Sequence, residues 1–169
     1  GVLSVELLAS LQMSRATANN NIAEQGDGGF LFTRFASPIL MRDININGSA
    51  TGDDGGGGGI AVYSTQVALE RVVITRSRSG QRGGGAVLLD EGAEVHLFDG
   101  MLNENVAENG GSGGHIHSAA SALVVHSKDS GMTWPERKPI FPSKIELTSN
   151  DGTIMSQGEA STVGGSVSC

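Results

Sequence analysis

The chain has one cysteine, one tryptophan, one tyrosine and four prolines in 169 residues, and each shortage excludes something. The single Cys169 rules out an internal disulfide, so the sequence fits either redox compartment. Aromatics make up only 4% of the chain, so any core must be aliphatic. Positive charge is short as well: 11 Lys and Arg face 18 Asp and Glu, a net charge of −7. Phosphate backbones demand a concentrated positive surface, so nucleic acid is not an expected partner. Arg76, Arg78 and Arg82 cluster in TRSRSGQRGGG, and they read as a solvated turn between strands. No apolar run reaches the roughly 18 residues of a transmembrane helix, and no signal-peptide pattern is present. The chain begins at Gly1-Val2-Leu3 without a methionine, which we read as a mature or excised piece of something longer.

Glycine is what the chain has in excess, with 26 copies. They follow no Gly-X-Y period, which excludes collagen, and a hydrophobic share of 38% is too high for a disordered linker. Residues 1–169 suit one domain with a real core.

Apolar pairs with one residue between them recur at a fixed 28-residue interval: Leu11/Met13, Ile39/Met41, Val67/Leu69, Val95/Leu97 and Leu123/Val125. A fixed period of this size means stacked units that share a core. Within each unit, Gly-Gly precedes a short strand, a turn, a second strand and a third apolar segment such as Ala16/Ala18, Ile44/Ile46 or Val72/Ile74. Alternation with period 2 excludes helices. The expected fold is all-β: a parallel β-helix of about six coils with a 28-residue period and one hairpin excursion. At about 4.8 Å per coil this is a rod of roughly 30 Å. Asn21, Ser49, Ser77 and Asn105 share one phase and are expected to ladder at a polar corner.

The Gly-Gly pairs, taken as 28–29, 58–59, 84–85, 113–114 and 164–165, set the register of the first strand. Its middle residues Leu3, Leu31, Ala61, Val87, Ile116 and Val167 are then expected to point inward. Phe30, Phe32, Ile60, Val62 and Leu88 fall outward, an apolar stripe expected to be a lateral interface. After Val125 the period breaks. Regular coils are expected over 1–126, an excursion over 127–144 and a last coil over 145–169.

NNNIAEQGDGGF (19–30) and ENVAENGGSGGHI (104–116) resemble the Asn-x-Ala…Gly-Gly-aliphatic repeats of polymorphic outer-membrane-protein passengers, within the class of pectate-lyase-like β-helices. The resemblance covers about 125 residues plus the last coil. It implies a right-handed helix, and a role as adhesin, surface-fibre component or polysaccharide-cleaving enzyme. Ser127, Asp129, Gly131, Thr133 and Trp134 match every fixed position of the Asp-box of sialidase-like propellers, a structural hairpin in that family. A propeller needs repeats of about 40 to 50 residues, so the match implies only a hairpin leaving the β-helix.

No set of residues here forms a recognisable catalytic constellation. His115 and His117, with His96 or His126, offer imidazoles without a carboxylate or thiolate at ligand spacing, and Asp53-Asp54 precedes its glycines, unlike a calcium-binding β-roll. No metal or cofactor is expected. Glu70 and Asp99, beside Arg42 and Arg71, are the nearest approach to an acidic pair. Stacked opposite charges explain them better than catalysis does. Asn47-Gly48-Ser49 is the one N-glycosylation sequon. The expected function is a non-enzymatic extracellular or cell-surface structural or adhesive protein, contacting itself or other subunits through its terminal coils and apolar stripe. The alternative is a β-helix that binds or cleaves polysaccharide, as a lyase or glycoside hydrolase.

Overall fold

The computed structural model describes residues 2–126 and, beyond them, the strands within 145–147, 154–156, 159–160 and 167–168. Every described element is a strand, and every strand pairing is parallel. Three sheets run side by side around a shared core. The first contains β1 (Leu3–Glu6), β4 (Leu31–Arg34), β7 (Ile60–Tyr63), β11 (Val87–Asp90), β15 (Ile116–Ser118) and β20 (Val167–Ser168), stacked in that order. The second is built on β2 (Leu11–Asn19), β5 (Ile39–Asn47), β8 (Gln66–Glu70), β9 (Val73–Thr75), β12 (Glu94–Phe98), β13 (Met101–Asn103), β16 (Ala122–His126), β17 (Ile145–Leu147) and β18 (Ile154–Ser156). The third stacks β3 (Ile22–Ala23), β6 (Ala50–Thr51), β10 (Arg78–Ser79), β14 (Val106–Ala107) and β19 (Glu159–Ala160). The chain is a parallel β-solenoid with a 28-residue repeat, the separation at which Arg42 meets Glu70 and Gln66 meets Glu94.

The second sheet follows the sequence pattern residue for residue. Leu11 pairs with Ile39, Ile39 with Val67, Val67 with Val95, and Val95 with Leu123. From Ile39 onward these side chains, and those of Met41, Leu69, Leu97 and Val125, lie in the core. Leu123 and Val125 then pair with Ile145 and Leu147, which places β17 on β16. β18 lies instead on β13, with Ile154 against Met101. The corner between successive segments is a left-handed residue that is not glycine: Arg15, Asp43, Arg71 and Asp99 have φ of 55°, 55°, 50° and 50°. A second such corner runs through Leu7, Phe35, Ser64, Glu91 and Ala120. Each costs roughly 1–2 kcal/mol of backbone strain, which the stacked core must outweigh.

The first sheet corrects the expected register. Leu31 pairs with Ile60, not Ala61, and Ile60 with Val87. Ile60 and Val62 are therefore inward and fully buried, and Ala61 is the residue on the outer face. The run Gly55–Gly59 hides which two glycines form the corner. Gly57, at φ 63°, takes the left-handed place that Gly28, Gly84 and Gly113 hold in the other coils. The step from Leu31 to Ile60 is thus one residue longer than the period, and the step from Ile60 to Val87 one residue shorter. A slip of a single residue exchanges the two faces of a strand. Phe30 also turns inward, packed in the core, with its amide donating to the Gly59 carbonyl of the next coil at 2.9 Å.

Phe32 and Leu88 do face outward, but not toward an open stripe. They cluster with Ala61 and Tyr63. Leu88 is buried beneath the loops that carry Gly56 and Arg82, since a side chain on Gly56 would meet Leu88 Cδ2 at 2.6 Å and Arg82 Cβ at 2.8 Å. The chain covers this apolar patch with its own connections.

Candidate functional site

Those connecting loops assemble a polar cluster beside the first sheet. Tyr63 ends β7 and Asp90 ends β11, one coil apart in register. Asp27 and Arg82 come from the loops that lead into the first sheet. The Tyr63 hydroxyl donates to Asp27 Oδ2 at 2.5 Å, and the Gly56 amide donates to Asp27 Oδ1 at 2.6 Å. Arg82 donates to Asp27 Oδ2 at 2.8 Å and to Asp90 Oδ2 at 3.4 Å. Its guanidinium lies 5.3 Å from the Tyr63 ring centroid, and that of Arg34 lies 5.9 Å away. Arg34 makes two bonds to Glu91, of 2.7 and 3.1 Å. Phe32 closes one side of the tyrosine at 5.6 Å between centroids.

Burial holds the Tyr63 hydroxyl well above its ordinary pKa, and the bond to the Asp27 carboxylate adds to the effect. The group is a locked donor, unsuited to service as a base near neutral pH. Neutral Tyr63 is favoured in the folded chain, so its contribution is complete below pH 10 and declines as the pH rises above the ordinary value of 10.0. Tyr63 is the only tyrosine, which makes the expectation directly visible. Tyrosinate absorbance should stay absent above pH 10 until circular dichroism reports unfolding, and Tyr63→Phe should lessen the alkaline loss of stability. Tyrosinate forming at pH 10 in a folded chain would contradict the locked hydroxyl.

Glu70 belongs to a second network, on the outside of the second sheet. Arg42 donates to Glu70 at 2.6 Å, Arg71 also bonds Glu70, and Arg71 grips Asp43 with two bonds of 2.6 and 3.1 Å. The Arg71 bonds hold the Asp43 carboxyl below its ordinary pKa. Asp99 occupies the corner in register with Arg71, as the flanking pairs Glu70–Phe98 and Val73–Met101 require. Glu70 and Asp99 are thus separated in role: one is held by two arginines, the other continues an Arg15–Asp43–Arg71–Asp99 column.

The histidines do not converge. His115 is fully buried with Nδ1 3.2 Å from Asn105 Nδ2. His117 is on the outer face in register with Leu88, and burial lowers its pKa. His96 Nε2 lies 2.8 Å from Glu94 Oε1, both buried on β12. Among the described residues no three His, Cys, Asp or Glu are grouped to hold a metal ion. Asp53 accepts a bond from Asn109 at 3.0 Å. The expected polar corner is present, half-buried at Asn21 and fully buried at Ser49, Ser77 and Asn105: Asn21 donates to Ser49 at 3.4 Å, and Asn105 Oδ1 accepts the Ser77 amide at 2.9 Å. The three clustered arginines are each engaged separately, Arg76 with Asn47, Arg78 with Glu108 and Arg82 with Asp27.

Asn47 is half-buried, and its Oδ1 accepts from Thr75 and Arg76, both at 3.1 Å; Ser49 of the same sequon is fully buried. Ser127, Asp129, Gly131, Thr133 and Trp134 lie outside the described residues. Sequence reasoning missed Asp27, Tyr63, Arg82 and Asp90 as a group. The available signal was that Tyr63 and Asp90 end the same strand in neighbouring coils.

No family model, curated protein or solved structure matches this chain. What it does must follow from the solenoid itself.

Proposed function

We propose that this chain is a non-enzymatic structural or adhesive β-solenoid, part of a fibre or multi-subunit assembly outside the cell or at its surface, with a right-handed helix of about six coils as its framework. The observation that carries the reading is the engagement of carboxylates by arginines one or two coils away: Glu70 with Arg42 and Asp43 with Arg71 one coil apart, Glu91 with Arg34 and Asp27 with Arg82 two coils apart. Cleavage of a polysaccharide needs carboxyl groups directed at a substrate and free to exchange protons. Here they tie coil to coil. No helix of the described residues is long and apolar enough to cross a membrane.

The test incubates the protein with acidic and neutral polysaccharides. No new reducing ends and no unsaturated-product absorbance are expected. Cleavage abolished by Asp27→Asn, Glu70→Ala or Asp99→Ala would replace this reading with the lyase or hydrolase one.

A further inference from the structure

The chain contains two Asn-Gly steps, Asn47-Gly48 and Asn109-Gly110, and the fold treats them oppositely. A glycine that follows asparagine offers its backbone nitrogen to the asparagine side-chain carbonyl with the least obstruction, because it carries no side chain and its backbone turns freely. In a folded protein the ring closes only if the asparagine is loosely held. Asn47 is not. It ends β5 between Asn19 and Thr75 of the neighbouring coils, and its half-buried side chain accepts from Thr75 and Arg76.

Asn109 stands at the tip of a tight turn over 108–111, closed by the Gly111 amide on the Glu108 carbonyl at 2.8 Å. The two central residues are left-handed, with φ of 52° at Asn109 and 90° at Gly110, and both are exposed. Even a methyl group added to Gly110 would meet nothing within 4 Å. The Asn109 side chain makes a single bond, from Nδ2 to Asp53 Oδ1 at 3.0 Å.

That bond spans a stack of turns. Those over 52–55 and 80–83 precede it in successive coils, each closed in the same way, at 3.0 and 3.1 Å. They lie against one another: a methyl group on Gly80 would collide with the Asp53 carbonyl oxygen, and one on Gly111 with the Gly80 carbonyl oxygen. The Gln81 amide donates to the Asp53 carbonyl at 2.8 Å. Asn109 thus reaches past the middle turn and supplies Asp53 with a neutral donor.

We infer that Asn109 is a site of spontaneous deamidation in the folded chain, and that the charge it creates loosens the stacked turns. The Gly110 nitrogen bonds to Asn109 Cγ, the Cγ–Nδ2 bond breaks, and Nδ2 leaves as ammonia with the proton that the Gly110 nitrogen gives up. Water then opens the five-membered ring at either carbonyl, leaving aspartate or isoaspartate at position 109. One water is consumed, one ammonia is released, and nothing is oxidised or reduced. The product sets a carboxylate against Asp53 where a donor had been, and like charges in contact repel. This chemistry stands whether or not the chain works in an assembly.

The test holds the full chain at mildly alkaline pH, folded or in urea, and follows both asparagines by peptide mapping with mass spectrometry. In the folded chain Asn109 is expected to convert at least about tenfold faster than Asn47, and in urea the two rates should agree within about threefold. Asn109→Gln keeps the carboxamide but needs a six-membered ring, and should stay unconverted. Conversion of Asn47 as fast as Asn109 in the folded chain overturns the site, as does an Asn109 that persists while the urea sample converts. The consequence is read from hydrogen exchange at the Gly55, Gln81 and Gly83 amides. Asn109→Asp should speed it by about threefold or more over Asn109→Ala, which removes the bond without adding charge. Equal exchange in these two variants overturns the loosening by charge.

Discussion

Gly58→Ala is expected to destabilise the solenoid by about 3 kcal/mol or more, enough to reduce its folded yield sharply. A methyl group at Gly58 would lie 2.4 Å from the Arg78 carbonyl oxygen and 2.4 Å from the Gly85 carbonyl oxygen. Both obstacles are backbone, so no side-chain rotation relieves them, and Gly85 belongs to the adjacent coil. Relief requires the coils to separate, which breaks the parallel ladder on either side. Gly26→Ala is the control. Its backbone is left-handed at φ 101°, but a methyl there meets nothing within 4 Å, so it should cost only about 1–2 kcal/mol. Urea denaturation of both variants settles the matter, and a Gly58→Ala loss no larger than that of Gly26→Ala would refute the close-approach argument.

Asn105→Ala should be the most damaging truncation of a polar side chain, at about 2–4 kcal/mol. Its Oδ1 accepts the Ser77 amide at 2.9 Å, and its Nδ2 donates to the Ile74 carbonyl at 2.9 Å. The side chain is fully buried, so truncation leaves the Ser77 amide without its partner and without water. Asn21 occupies the same phase in the first coil, half-buried and with one bond of 3.4 Å to Ser49. Asn21→Ala is expected to cost under about 1 kcal/mol, as a weak and partly solvated bond should. Comparable losses in the two variants, measured by urea denaturation, would show that burial does not set the cost at this corner.

These contrasts explain how much the sequence disclosed. The pairs from Leu11/Met13 to Leu123/Val125 were readable because a strand repeats every two residues and the second sheet keeps a constant 28-residue interval. Both inward positions of these pairs are therefore apolar in all five coils. The first sheet was misread at Phe30, and again at Ile60 and Val62, where five consecutive glycines carry no side-chain signal to mark which of them turns. That single ambiguity moved Ile60 and Val62 from the core to an imagined outer stripe. The corners at Arg15, Asp43, Arg71 and Asp99 were invisible for a different reason. Left-handed backbone is normally signalled by Gly or Asn, and here it is imposed on ordinary residues by the stacking.

The cluster around Tyr63 was the least legible. Its four polar members arise from two loops and two strand ends, and only the folding of those loops across the first sheet unites them. No local pattern encodes such a meeting. The charge network of Glu70, by contrast, could be anticipated as a ladder, because Arg42 and Glu70 stand one period apart in the sequence.

The corner column also bears on how a repeating chain counts its own turns. A slip of the stack by one coil would preserve nearly every aliphatic contact, since each coil offers the same apolar pairs. It would, however, set Arg15 where Asp43 belongs and Asp43 where Arg71 belongs, placing like charges over like. Only a slip of two coils restores the alternation. Odd and even turns are thereby made unlike, and this parity lets a near-uniform core distinguish correct assembly from its closest mistake.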